Sequence, residues 1–294
     1  MRWMIYGMCC WLGWGVAAHG SGRPFDVKPW RALEDRNVSR LGRAVMRGGT
    51  HAWIHAESET FTYHAATRER LESVAREAEW TYAEVSERLG LSPASERGHL
   101  FVVEDEGDWT RVMRAAGRRA DGVALHVGRE IFILRDGPGG RTFVDIPHEM
   151  VHYRLWQQYG RDLPLWLEEG LAEYLGWQVA IRYQRTRQLH LYRERSPVEE
   201  QTWIPWTTLF EMERYPADPR RTAAFYRQSG GLVGAIAEKI GEKNLGPLVQ
   251  TIVEKGYTLK DALAIEFDLE ESVVDDMLKR VEQEMKQPAE RLAR

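Results

Sequence analysis

Beyond residue 10 the sequence contains no cysteine, and the only two, Cys9 and Cys10, are adjacent. A chain that has shed its first residues therefore has no disulfide, and any metal site in it must be built from His and carboxylates. No long basic stripe stands apart from acidic neighbours, and the formal net charge is −4, so nothing points to a nucleic-acid partner. Internal repeats and low-complexity tracts are absent. The apolar run from Trp3 to Ala18 is short for a full membrane span. Arg2 ahead of it and Val16-Ala17-Ala18 at its end outline a secretory signal peptide over residues 1–18, with an uncleaved N-terminal anchor as the alternative. Tyr6-Gly7-Met8 is no lipobox ahead of the cysteine pair. The expected location is exported, periplasmic or secreted, with no other membrane contact.

What is present reads as a globular body. The chain has 294 residues, 43% hydrophobic and 29% charged, enough for one large domain or two lobes sharing a cleft. Its twelve Trp are read as core and cleft packing. Residues 19–48, rich in Gly, Arg and Pro, read as a linker. From Thr50 the pattern is β-like, and His51 and His55 are read as sharing a strand face rather than as a metal pair. Leu71, Val74, Ala78, Tyr82, Val85 and Leu89 predict a helix over Thr67 to Leu89 that Gly90 stops. A strand over His99 to Val103 and a short helix over Trp109 to Ala116 follow. Gly122 to Val127 and Glu130 to Leu134 form a hairpin turning at Gly128-Arg129. After Gly139-Gly140 the pattern is helical almost to the end. Strands followed by helices argue α+β rather than a parallel sheet.

His148-Glu149-Met150-Val151-His152 matches H-E-x-x-H. On a helix the two imidazoles project from one face, one turn apart, a spacing that suits one Zn²⁺. Glu149 sits about 100° around the helix, within reach of a water at the metal without being a ligand. Pro147 leaves two readings of the helix start: at about Asp145 to Pro147, or earlier with a kink. A catalytic zinc usually takes a third protein ligand. Leu155 and Gln158 stand where a metzincin would have Gly and His, which removes that option. A second helix follows from Pro164, with Glu169, Ala172, Glu173 and Gly176 on one face, where small residues allow close helix approach. Glu168 reads as a solvated glutamate. Glu173, one turn after Glu169, is a candidate to accept the second N–H of a ligating His, or else a surface residue.

The pairing of H-E-x-x-H with Trp166-Leu167-Glu168-Glu169-Gly170-Leu171-Ala172-Glu173-Tyr174 resembles the gluzincin zinc metallopeptidases, and among them the peptidase MA-like proteins, which carry W-L-x-E-G-x-A-x-[YF] at this place. The likeness spans about residues 148–174. It implies one Zn²⁺ per chain held by His148, His152 and Glu169, Glu149 as general base, and a peptide or protein substrate. It also implies a zincin-like α+β fold. An N-terminal lobe over 49–160 would hold a small, mostly antiparallel sheet, helices and the active-site helix at the cleft. An all-helical lobe over 161–285 would supply the third ligand, ahead of a tail over 286–294. An edge strand over the cleft would line the substrate, with Glu130 to Leu134 the best candidate. The family's Y-x-x-[SA] step falls on Tyr226 to Ser229, making Tyr226 a candidate donor to the oxyanion or else a packing residue. His190 is next in line for that role, His126 is unassigned, and Tyr183, Tyr192 and Tyr215 match nothing. No G-x-M-E-N-type segment supports the aminopeptidase branch. The rival reading is a non-catalytic zinc-binding scaffold or interaction module that retains the fold; such a protein is expected to have lost Glu149 or a ligand, and here all are intact.

Overall fold

The computed structural model describes residues 25–48, 51–93, 96–117, 122–135, 144–160, 163–186 and 198–286. The expected signal peptide, both cysteines, His190, Tyr192 and residues 287–294 lie outside the described residues. Among the described residues no helix is long and apolar enough to cross a membrane.

The fold is mixed α/β, with every strand before residue 135 and only helices after residue 144 among the described residues. The elements run α1 (Arg40–Gly48), β1 (Ile54–Glu57), β2 (Phe61–Ala65), α2 (Arg68–Leu89), β3 (Gly98–Val103), α3 (Glu106–Ala115), β4 (Ala124–Val127) and β5 (Glu130–Leu134). Then come α4 (Asp145–Tyr159), α5 (Leu165–Thr186), α6 (Trp206–Glu211), α7 (Pro219–Ile240), α8 (Leu245–Lys255), α9 (Leu259–Phe267) and α10 (Glu271–Lys286). Helix α2 shows why local sequence places these elements. The Thr67 side chain accepts the Arg70 N–H at its start, Leu71, Val74, Ala78, Val85 and Leu89 form its buried stripe, and Gly90 ends it at φ 60°.

The five strands form one sheet in the order β1-β2-β3-β5-β4. It is not mostly antiparallel: β2–β3 and β3–β5 pair in parallel, β1–β2 and β4–β5 antiparallel. Helix α2 returns the chain between β2 and β3, so both strands enter in the same direction. Strand β4 makes the return before β5, which then inserts between β3 and β4. The expected edge strand is thereby corrected. Glu130 to Leu134 is the interior strand β5, buried at every position, and β4 is the edge. A continuous apolar run suits a strand covered on both sides, whereas the partly exposed β4 suits an edge.

The segment read as a linker is folded from residue 25 on. Lys28 N–H bonds the His55 carbonyl, Leu33, Val38 and Val45 are buried, and the Ser39 N–H and hydroxyl both bond the buried Glu130 carboxylate. Arginines interrupt the Val38, Leu41, Val45, Met46 period, yet that stripe joins Trp109, Val112 and Met113 of α3 in covering the outer face of the sheet. On the inner face one core runs from Ala56 on β1 to Val281 on α10, joining sheet and helices across residue 160.

The outer face also encloses His55, His64 and His99, all almost fully buried. His55 and His64 meet Nδ1 to Nδ1 at 2.8 Å, and His64 Nε2 meets His99 Nδ1 at 3.1 Å. His99 Nε2 faces Asp35 at 3.6 Å, and Asp35 also accepts from Arg129. Burial lowers all three imidazoles, His55 and His99 to about 4 and His64 well below its ordinary 6.5; Asp35 pulls His99 up while Arg129 and Arg97 push it down. The fold therefore holds these rings neutral, while the unfolded chain takes up protons near pH 6.5. Stability is fully present above that pH and falls as the pH drops from about 6.5 towards 4. Urea unfolding followed from pH 7.5 to pH 4.5 should show this loss, and His64→Gln should flatten it. An equal slope in the variant would mean that the loss arises elsewhere.

Candidate metal centre

Helices α4 and α5 supply every residue of the central cluster. Pro147 is the third residue of α4, in the first turn, where a missing N–H breaks no helical bond, and the His148 N–H bonds the Val144 carbonyl at 3.0 Å. The helix thus starts at Asp145. Small residues let α5 come close on both sides. A Cβ at Gly176 would stand 3.0 Å from His148 Cα and N, and one at Gly170 would stand 2.6 Å from the Ser229 carbonyl on α7. Across the same seam a Cβ at Gly230 would meet Glu173 Cβ at 2.8 Å.

This approach brings three donor atoms together. His148 Nε2 and His152 Nε2 are 3.2 Å apart, and each lies 3.5 Å from Glu169 Oε2. Both outer imidazole nitrogens face a carboxylate. His152 Nδ1 lies 2.9 Å from Glu168 Oε1, and His148 Nδ1 lies 3.7 Å from Glu173 Oε1. Glu168 is therefore not the solvated glutamate expected of it. Nothing local in the sequence marks it, because its partner lies sixteen residues upstream on another helix. Glu173 stands on the His148 side, just beyond hydrogen-bond range.

Glu169 is 3% exposed. Its Oε1 accepts from the Tyr215 hydroxyl, whereas Oε2 has no hydrogen-bond partner. Burial would raise its carboxyl, but the imidazoles of His152 and His148 outweigh burial and hold it well below the usual carboxylate range. Burial would lower both imidazoles; Glu169 raises them instead, His152 most strongly, aided by Glu168. The Glu149 carboxyl is raised by burial, against the downward pull of His148, His152 and the His126 backbone N–H. His126, on edge strand β4, lies parallel to the His152 ring at 6.3 Å, and its Nε2–H bonds the Gly128 carbonyl at 2.7 Å. Tyr226 is set edge-on to His148 at 6.4 Å, its hydroxyl pKa raised by burial and by Glu169 and Glu149. Tyr215, on the connection between α6 and α7, packs beside Tyr226 at 5.9 Å. Tyr183 lies elsewhere, against Trp80.

His148, His152 and Glu169 could hold a metal ion. Two donors on one tetrahedral zinc, with bonds of about 2.0–2.1 Å, stand about 3.3–3.4 Å apart. The triangle of 3.2, 3.5 and 3.5 Å is close to that. An unpartnered, buried carboxylate oxygen aimed at two imidazoles is what a cation would satisfy. The chain matches none of the protein-family models and none of the curated proteins with which it was compared.

Removing Glu169 takes away a central donor, and removing Glu168 frees the ring it orients. Titration of zinc into the metal-free variants should show the larger loss of affinity in Glu169→Ala and a loss of about 10–100-fold in Glu168→Ala. Parental affinity in Glu168→Ala would show that its contact with His152 does not orient the ligand.

Proposed function

We propose that the chain is an exported zinc-dependent metallopeptidase of the gluzincin type with a zincin-like fold. The observation that carries this reading is the buried triangle of His148, His152 and Glu169, with Glu149 beside it on α4. A bound zinc ion would supply Lewis acidity for an attacking water and for the scissile carbonyl. Glu149 takes the proton from that water and delivers it to the leaving amine. Its burial and raised pKa suit a group that must both accept and return a proton. Glu168 holds the outer nitrogen of His152 and so fixes which nitrogen faces the centre, and Glu173 faces the outer nitrogen of His148 at 3.7 Å.

The substrate extends along edge strand β4, which runs beside α4 and places His126 next to His152. Tyr226 stands at the same mouth and donates its hydroxyl to the developing oxyanion. Export rests on the apolar segment at residues 1–18.

Proteomic cleavage profiling of the purified protein tests the activity. The parent should contain one zinc per chain and cleave peptides. Glu149→Gln should keep the zinc and lose about 10²–10⁴-fold in turnover. Tyr226→Phe should keep zinc and fold and lose roughly 10²–10³-fold. Stoichiometric zinc with no cleavage of any peptide would favour the non-catalytic scaffold instead.

A further inference from the structure

Tyr215 had no assigned role, yet its hydroxyl donates to Glu169, the only carboxylate inside the donor triangle. Two independent sets of contacts hold it there. The ring is packed edge-on against Phe225 at 5.9 Å and 89°, and lies beside Tyr226 at 5.9 Å and 31°. The backbone is anchored where it enters α7. The Thr222 hydroxyl donates to the Pro216 carbonyl at 2.7 Å, and Asp218 caps the helix by accepting the N–H groups of Arg220 and Arg221. Pro219 occupies the first helical position, where its missing N–H breaks no bond. The phenol is therefore held against the first turns of α7 and reaches across to α5.

Its effect falls on the geometry of one carboxylate. Glu169 has two oxygens, and only Oε2 faces His148 Nε2 and His152 Nε2. Oε1 is occupied by Tyr215 on the opposite side. We infer that Tyr215 is a positioning residue that restricts Glu169 to a single ligating oxygen, so that the protein offers three donor atoms and leaves the remaining positions to water and substrate. This inference rests on the reading of the cluster as a metal centre. Without the phenol hydroxyl, Oε1 is free to turn inward and both oxygens can close on the ion. The protein would then fill a position that catalysis needs open.

Cobalt(II) reports this difference directly, because its visible absorption is strong in four-coordinate sites and weakens as the coordination number rises. In cobalt-loaded Tyr215→Phe the visible absorption should fall severalfold relative to the parent. The thermal unfolding of the metal-free variant should stay near the parental value, since the ring and its packing remain. 4-Aminophenylalanine at position 215, which keeps an N–H donor in the same place, should restore the parental spectrum. In a Glu169→Ala background, adding Tyr215→Phe should change nothing further, because the group it orients is gone. A parental spectrum in Tyr215→Phe overturns the proposal for Tyr215 and leaves the metal centre standing. A spectral change of the same size in the Glu169→Ala background also overturns it, since the tyrosine would then act on something other than Glu169. A parent chain that binds no cobalt and no zinc removes the metal centre itself, and this proposal with it.

Discussion

The site depends on how closely α5 can lie against α4. Donor atoms 3.2–3.5 Å apart on two different helices require their backbones to approach to a distance that most side chains forbid. Gly176 removes the obstacle at His148, and Gly170 removes it on the other side of α5, against α7. These glycines serve by what they lack, since neither has positive φ. A methyl group at Gly176 would press on the His148 backbone, and one at Gly170 would press on the Ser229 carbonyl of α7.

Close approach creates an electrostatic problem that the cluster solves with charge of the opposite sign. Glu169 is buried beside Glu149, with Glu168 and Glu173 near by, and four carboxyl groups around one cleft would repel one another. Glu169 and its neighbouring carboxylates raise the imidazoles of His148 and His152 against the downward effect of burial. The outer face of the sheet does the reverse. His55, His64 and His99 are packed against one another and against Trp30 and Phe101, and burial holds them neutral. Identical side chains are thus shifted in opposite directions: burial outweighs the pull of the single carboxylate Asp35 on His99, whereas Glu169 and its neighbouring carboxylates outweigh burial at His148 and His152.

Features that rest on local chemistry were legible in the sequence. The boundaries of α2 follow from Thr67 and Gly90, the turn at Gly128 from its positive φ, and the convergence of His148 with His152 from their four-residue spacing. Features set by the path of the chain were not. Whether β3 runs with or against β2 depends on α2 acting as a return, and the interior position of β5 depends on a hairpin folding back between two strands. The uninterrupted apolar run in β5 did carry that information. Glu168 and Tyr215 carry no local signal of their contacts. Glu168 looks like any glutamate at the start of a helix, and Tyr215 sits in a charged connection with no periodic pattern. Each owes its place to a partner on another element. The N-terminal cover was obscured differently, because its arginines dilute an apolar stripe that is nonetheless continuous.

The α4–α5 hairpin has a consequence for how the centre comes into being. The donors nearest each other across the turn are seventeen residues apart, His152 to Glu169, so the loop that must close to bring them together is short. The entropy of closing it is far smaller than that of joining ends of the chain, and it grows only with the logarithm of loop length. If the triangle takes an ion, its capture does not have to wait for the sheet to pair or for the last helices to dock. What must wait is the phenol of Tyr215, which arrives from forty-six residues beyond Glu169 only when α7 packs. The meeting of the three side chains is thus separate from the contact between Tyr215 and Glu169, which is tied to completion of the helical half of the molecule.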